Sequence, residues 1–266
     1  MNLLPLRARR WLRRTFVPDR EHRVAFLIAG AQKGGTNTLD YWLRSHPAVA
    51  MAERKEVRYF DDDRLHRDGH PDYAHYHAWF ARSAFERMTG EASPVYLYWK
   101  PAIERIHQYN PAMKFILLLR DPVERAYSSW NMQRQRGVES RSFEDAVAEE
   151  LPRLFDPTAP QHPQFDYLSR SLYGVQLARL LDVFPVNQVL VMRSDELKTQ
   201  PQACFDQVCS FLGVTRQPLA STGSRHVRSY EAPLDSAQRQ RLQHVLEPDI
   251  HRLEALLGWD CSAWLR

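Results

Sequence analysis

The sequence predicts a three-layer α/β domain, a central, mostly parallel sheet with helices on both faces. Two continuous apolar runs, residues 24–30 (VAFLIAG) and 114–120 (KFILLLR), have the pattern of strands buried on both sides. Each is followed at once by a segment with helical spacing. Strands and helices then alternate along the chain, the order that builds a parallel sheet through helical crossovers.

The first run closes on Gly30. Residues 36–45 place Leu39, Trp42 and Leu43 on one helical face, and Pro47 ends that helix. Residues 49–52 form a short second strand. Residues 71–82 read as a helix with Tyr73, Tyr76, His77 and Phe80 on one stripe, and 87–93 as a third strand. Pro101 opens a helix to Tyr109. After the second apolar run, Pro122 stands in the first turn of a helix to Arg136, where its missing N–H costs nothing. Residues 142–151 form a short helix with Ser142 as N-cap. Pro152, Pro157, Pro160 and Pro163 make 152–168 a long loop, a kind that often carries function. An amphipathic helix is expected over 169–184, a strand over 189–192, and a helix over 201–212 closed by Gly213. A polar loop follows over 214–233. In the final helix, 235–257, Leu242, Val245, Leu246, Ile250, Leu253, Leu256 and Leu257 keep helical spacing, and Trp259 and Trp264 anchor the end. With no internal repeat and no dividing linker, residues 23–266 read as one domain behind a basic lead-in, 1–22.

The 266 residues are 44% hydrophobic and 26% charged, enough for a sizeable core. No stretch approaches the roughly 20 apolar residues that span a bilayer. Three cysteines, Cys204, Cys209 and Cys261, make neither a disulfide framework nor a CxxC zinc site, which fits a reducing cytoplasm. The net charge of +4 points only weakly to an anionic ligand. Its cations are 31 Arg against five Lys, and Arg suits bidentate contact with phosphate, sulfate and carboxylate. A GC-rich genome produces the same bias. No nucleic-acid partner is expected. Residues 1–16, MNLLPLRARRWLRRTF, lack the apolar stretch of a secretory signal. They fit either a packed lead-in helix or a basic amphipathic piece lying on an anionic membrane surface, so the expected location is cytoplasmic with peripheral membrane contact.

The strongest local signal is Gly30-Ala31-Gln32-Lys33-Gly34-Gly35-Thr36-Asn37-Thr38, between a buried strand and a helix. Glycines let backbone N–H groups approach an anion, and the helix N-terminus adds partial positive charge. Lys33 supplies a full charge, and Thr36 and Thr38 supply hydroxyls. The logic is P-loop-like, but the spelling is not GxxxxGK[ST], since Lys33 precedes the glycine pair. A loop this tight suits one phosphate beside a transferable group.

Strand, KGGT, then helix resembles the 5′-phosphosulfate loop of sulfotransferases that use 3′-phosphoadenosine 5′-phosphosulfate (PAPS). Residues 114–130, KFILLLRDPVERAYSSW, are similar to that family's 3′-phosphate segment, with its strand-end Arg and helix Ser at Arg120 and Ser128. Independently, a strand's C-terminal end is where α/β folds bind ligands. The likeness spans roughly residues 23–260 and is nearest the heparan-sulfate-type branch and its bacterial relatives. It implies PAPS as co-substrate, no required metal, and nucleotide contacts from Lys33, Gly34, Gly35, Thr36, Asn37, Thr38, Arg120 and Ser128. Arg225 and Arg228, in a basic loop that closes over the 3′-phosphate in the family, are further candidates.

In that branch a Glu within a segment like KE-x-x-[FY]-F deprotonates the acceptor hydroxyl, which maps onto Glu56 in Ala52-Glu53-Arg54-Lys55-Glu56-Val57-Arg58-Tyr59-Phe60. A sugar hydroxyl is a poor nucleophile, and a carboxylate within reach can take its proton during attack. Glu53 competes but falls outside the matched spacing. A surface ion pair with Lys55, Arg54 or Arg58 is the plain alternative for Glu56. Lys33 would neutralise charge on the leaving phosphate oxygen. One departure stands out: in Glu91-Ala92-Ser93-Pro94-Val95-Tyr96, Ala92 occupies the position of a family Lys, with Arg58 or Lys100 as candidate stand-ins. Arg58, Arg170 and Tyr173 are candidate acceptor contacts, the last two also explicable as helix start and core. His66, His70, His75 and His77 crowd together without convincing metal spacing.

The expected activity is sulfonate transfer from PAPS to a hydroxyl or amine, with a small-molecule or glycan acceptor. Its rivals are a P-loop kinase, and a nucleotide- or glycan-binding protein of the same descent without turnover.

Overall fold

The computed structural model describes residues 23–219, 230 and 233–266. The lead-in 1–22, with its membrane-contact segment, and the candidates Arg225 and Arg228 lie outside the described residues.

Five strands form one sheet in the order β2-β3-β1-β4-β5. They are β1 (Phe26–Gly30), β2 (Val49–Met51), β3 (Met88–Ala92), β4 (Lys114–Leu119) and β5 (Val189–Arg193). Every pairing is parallel, with Phe26 opposite both Gly90 and Lys114, and Phe115 opposite Val189. The expected sheet, stated as mostly parallel, is therefore wholly so. Nine helices are described: α1 (Thr36–Arg44), α2 (Tyr73–His77), α3 (Ala102–Tyr109), α4 (Pro122–Gln135), α5 (Phe143–Glu150), α6 (Tyr173–Leu181), α7 (Glu196–Thr199), α8 (Pro201–Leu212) and α9 (Ser236–Leu257).

The apolar runs of β1 and β4 explain the three layers. Successive strand side chains point to opposite faces. Leu27 and Ala29 of β1, with Phe115, Leu117 and Leu119 of β4, enter a core shared with α3, α4, α6 and α9. Phe26, Ile28, Ile116 and Leu118 enter a second core under α1, α7 and α8. A strand covered on both faces has no polar positions to alternate, so it reads as continuous apolar sequence. No helix among the described residues is long and apolar enough to cross a membrane.

Two predicted helices are shorter than their sequence pattern. The 71–82 stripe holds a helix only over Tyr73–His77, after which Trp79 and Phe80 close tighter turns onto Tyr76 and His77. The 169–184 pattern splits into a 3-10 turn, Ser169–Ser171, and α6. The break falls at Leu172, at φ −75° and ψ 73°, and the buried Glu150 carboxylate holds the turn before it by accepting the N–H groups of Tyr167, Leu168 and Ser169.

The chain enters the sheet at its centre, moves out to β2, returns through β3, then crosses to β4 and β5. Connections from β1 thus leave toward one side and those into β4 toward the other. The crevice at the carboxyl ends of β1 and β4 is the switch point where open α/β sheets hold ligands.

Candidate active site

At the end of β1 the chain makes a tight loop. The Ala31 N–H donates to the Leu118 carbonyl at 3.0 Å, and the Gly34 N–H donates back to the Ala31 carbonyl at 2.9 Å. A Cβ on Gly34 would stand 2.1 Å from the Leu118 oxygen, so the loop lies directly on the backbone of β4 and only glycine fits there. Gly35 has φ 104° and Lys33 has φ 72°, the latter a conformation a side-chain-bearing residue rarely adopts. The N-cap of α1 is Gly35, which has no side chain to cap it, and the first turn carries no acid. The positive end of that helix and its first N–H groups are therefore presented to the crevice. Thr36 and Thr38 are buried at this end, Lys33 is half-buried and Asn37 exposed.

At the end of β4, Arg120 Nη2 reaches Glu124 Oε2 at 3.2 Å and the Tyr230 hydroxyl at 3.4 Å. Asp121 caps α4 by accepting the Val123 and Glu124 N–H groups, both at 2.9 Å. Arg239 of α9 donates to Asp121 at 2.6 Å and to Glu124 at 2.8 Å. Ser128 is buried on α4, two turns beyond Asp121.

Gln32 joins these parts, and the sequence reading passed over it. Its Oε1 accepts from Ser129 Oγ of α4 and from Arg170 Nη1, each at 3.2 Å. Arg170 is buried, donates to the Pro163 carbonyl and stacks 4.7 Å from the centre of the Tyr98 ring. Burial lowers its pKa, while Arg58 and Glu56 act on it electrostatically with opposite sign. Arg170 thus lies within the field of both candidates from the base segment. Arg125, also passed over, is buried and donates to Ser171 Oγ at 2.7 Å and to the Tyr167 carbonyl. It pins the 167–171 turn to α4, and burial pushes its pKa down to about 10. The matched motif surrounds it with helix-facing residues, so only its place on the buried face of α4 could have exposed the role.

The base segment runs along the end of β3. Glu56 is half-buried, with Oε1 3.7 Å from Lys55 Nζ. Burial lowers the Lys55 pKa, against the pull of Glu56 and Asp40. Arg58 has φ 58° and is ion-paired to Asp61 at 2.5 Å. Of the stand-ins named for the missing family Lys, Arg58 is therefore neutralised by Asp61. Lys100 donates to the Pro157 carbonyl at 2.5 Å, in the proline-rich loop. Ala92 itself is buried in the apolar core beneath α1. Lys55 pairs with Glu56 directly. Glu53 is exposed. Tyr173 is buried at the start of α6, in an edge-type ring contact with Trp264, and packs in the core.

A cavity of about 400 Å³ opens under the proline-rich loop, lined by Tyr98, Lys100, Phe155, Val175, Arg179 and Arg252 among others. Lys33, Glu56 and Arg120 do not line it. Among the described residues no group of three His, Cys, Asp or Glu is placed to hold a metal ion.

Residues 24–232 match the protein family described as "Sulfotransferase domain". The chain is 31% identical to heparan sulfate glucosamine 3-O-sulfotransferase 5 of Mus musculus, over 71% of this chain and 53% of that protein. It is 23% identical to the membrane-associated sulfotransferase kil1 of Dictyostelium discoideum, over 88% of this chain and 65% of that one. The chain thus spans between half and two thirds of the length of these curated relatives. A crystal structure of a sulfotransferase from Alicyclobacillus acidocaldarius superposes with a TM-score of 0.79 at 30% identity, covering 92% of this chain and all of that one.

Proposed function

The chain belongs to the sulfotransferase domain family, and we propose that it moves a sulfonate from PAPS to a hydroxyl or amine of a glycan or glycoconjugate. The observation that carries this reading is the contact of the β1 loop with the end of β4, forced by Gly34 on Leu118. That contact brings the loop carrying Lys33 against the strand that ends at Arg120, which supports reading the two as anion sites that a nucleotide phosphorylated at both 5′ and 3′ would bridge. The glycan acceptor is inferred from the relatives named for heparan sulfate.

The residues fit the donor by their chemistry. Lys33, the loop and helix N–H groups and the Thr36 and Thr38 hydroxyls would hold the 5′-phosphosulfate, with Asn37 at the rim. Arg120 and Ser128 would hold the 3′-phosphate, with Arg225 and Arg228 as further contacts. Among the described residues Arg120 meets Glu124 and Tyr230, at 3.2 and 3.4 Å, weaker partners than a dianionic phosphate. Arg58 and Arg170 would face the acceptor. PAPS supplies a sulfonate already activated as a mixed anhydride.

Glu56 takes the acceptor proton while the acceptor oxygen bonds to sulfur and the bond from sulfur to the 5′-phosphate oxygen breaks. Lys33 neutralises the charge arriving on that phosphate oxygen, leaving 3′-phosphoadenosine 5′-phosphate as product. Catalysis of this kind is mostly positioning and electrostatics. We extend the proposal to residues 1–16 as a membrane-surface contact, which the name of the Dictyostelium relative favours.

The first test is calorimetric titration with 3′-phosphoadenosine 5′-phosphate, AMP and ATP–Mg²⁺, followed by labelled PAPS with desulfated heparan oligosaccharides. Binding that requires the 3′-phosphate, and turnover abolished in Glu56→Gln with nucleotide affinity retained, is expected. Preference for ATP–Mg²⁺ moves the protein to the kinases. Binding of the 3′-phosphorylated nucleotide without turnover on any acceptor favours the non-catalytic reading.

A further inference from the structure

Glu91, near the end of β3, is wholly buried, and no step above uses it. Its Oε1 accepts from the hydroxyls of Tyr76 and Tyr96, each at 2.9 Å, and its Oε2 accepts from Ser93 Oγ at 2.8 Å. The Val57 backbone N–H also bonds to this carboxylate. Two of those hydroxyls face the base segment as well. Ser93 Oγ accepts the Arg58 N–H at 3.2 Å, and the Tyr96 hydroxyl accepts the Tyr59 N–H at 2.9 Å. The three peptide N–H groups that follow Glu56 are therefore all tied to one carboxylate, one directly and two through a hydroxyl.

The direction of each relay matters. A hydroxyl has a single proton. Because Ser93 and Tyr96 give theirs to Glu91, each turns a lone pair to the backbone. The segment so held contains Arg58 at φ 58°, a conformation that persists only where the surroundings enforce it.

We propose that Glu91 is the positioning residue for Glu56: its carboxylate orients Ser93 and Tyr96 so that residues 57–59 are clamped and Glu56 is carried toward the transfer site. This deepens the proposed function and rests on Glu56 being the base. The groups around Glu91 are consistent with it holding the charge. The Tyr76, Tyr96 and Tyr109 phenols are all pushed well above their ordinary value, chiefly by burial, and stay neutral. Beyond Tyr96 lie Asp61 and its partner Arg58. Burial raises the Glu91 pKa to about 7 against the pull of its hydrogen-bond donors. Below that pH a protonated Glu91 must itself donate, and one hydroxyl has to turn away.

The test follows backbone hydrogen exchange at residues 57–59 in Ser93→Ala, Tyr96→Phe and Glu91→Gln. It also follows kcat and KM with labelled PAPS and desulfated heparan oligosaccharides across pH 5.5–9. Loss of one bond should speed exchange about fivefold or more, at Arg58 in Ser93→Ala and at Tyr59 in Tyr96→Phe. Glu91→Gln should speed all three and lower kcat about tenfold or more at pH 8, with KM for PAPS unchanged. Its acid limb near pH 7 should disappear. Unchanged exchange at 57–59, or equal acceleration throughout β1 and β4, overturns the proposal. A kcat and pH profile unaltered in Glu91→Gln also overturns it. Full turnover in Glu56→Gln refutes the base reading instead, and the exchange pattern still decides whether Glu91 clamps the segment.

Discussion

Replacing Glu91 by Gln changes stability in a way its burial makes calculable. The carboxyl is fully buried and its pKa in the fold is about 7, against 4.5 for the ordinary group. When the folded pKa lies above the unfolded one, the fold favours the neutral form. The stability Glu91 contributes is then complete below pH 4.5 and lost as the pH rises through about 7. With about 1.4 kcal/mol per pKa unit, the loss between pH 5 and 8.5 is about 2.5 kcal/mol. Gln has no proton to release and escapes this loss, although its amide N–H₂ mismatches one or two of the donors at that site, for about 1 kcal/mol each. Urea unfolding at both pH values measures the difference. At an m-value of roughly 3 kcal/mol/M, the gap between the two midpoints should change by about 0.8 M. The buried Glu150 and Asp249, also raised by burial, titrate alike in both proteins and cancel. Midpoints that run parallel across the whole pH range would sink the assignment of a charged, buried Glu91. The clamp proposed above needs the carboxylate, so activity and stability pull this residue in opposite directions over the same pH window.

Three further outcomes are expected. Gly34→Ala drives a Cβ against the Leu118 carbonyl. It should cost about 3 kcal/mol or more and lower Tm by about 6–12 °C, and a Tm within 2 °C of the parent would contradict the contact. Arg120→Ala should weaken calorimetric binding of 3′-phosphoadenosine 5′-phosphate at least about tenfold and leave AMP unaffected; equal losses would mean that Arg120 does not read the 3′-phosphate. Asp249→Ala removes the carboxylate that accepts the Gly174 and Val175 N–H groups. It should cost about 1–2 kcal/mol in urea unfolding, with faster exchange at those two positions, and unchanged exchange would refute the cap.

What could be read from the sequence was whatever is decided locally. The runs at 24–30 and 114–120 become β1 and β4 because burial on both faces removes the polar alternation. Ser142 caps α5, its side chain accepting the Asp145 N–H, and Gly213 closes α8 at φ 79°, each as its immediate neighbours required. What escaped depends on partners far along the chain. The helix expected over 169–184 is interrupted at Leu172, and the turn before it is held by Glu150, some twenty residues earlier. The cap of α6 comes from Asp249, some seventy residues later. Gln32 stood inside the strongest motif, yet its link to Ser129 and Arg170 exists only once α4 and the 169–171 turn meet the loop. Glu91 sat in a matched segment too, but its relay exists only once the base segment lays the Arg58 and Tyr59 N–H groups against Ser93 and Tyr96.

The carboxylates around the crevice bear on the choice between sulfonate and phosphoryl transfer. A kinase needs an acid free to hold Mg²⁺ beside the phosphates. Asp121, at the end of β4, stands where one would be sought, but Oδ1 accepts two N–H groups of α4 and Oδ2 accepts from Arg239. Asp40 of α1 is bound at both oxygens by Arg44. Turning either acid to a cation would cost its ion pair, and for Asp121 a helix cap worth about 1 kcal/mol as well. Glu56 differs: it is half-buried, and Lys55 stands 3.7 Å away, beyond ordinary hydrogen-bond length. That longer pair holds Glu56 less firmly than Asp121 and Asp40 are held and leaves it more open to an acceptor proton. The crevice thus combines cations and N–H groups, as the proposed doubly phosphorylated donor requires, with a loosely held acid in Glu56. That division of roles supports sulfonate transfer over its kinase rival and makes Glu56→Gln, with Asp121 untouched, the substitution that separates chemistry from binding.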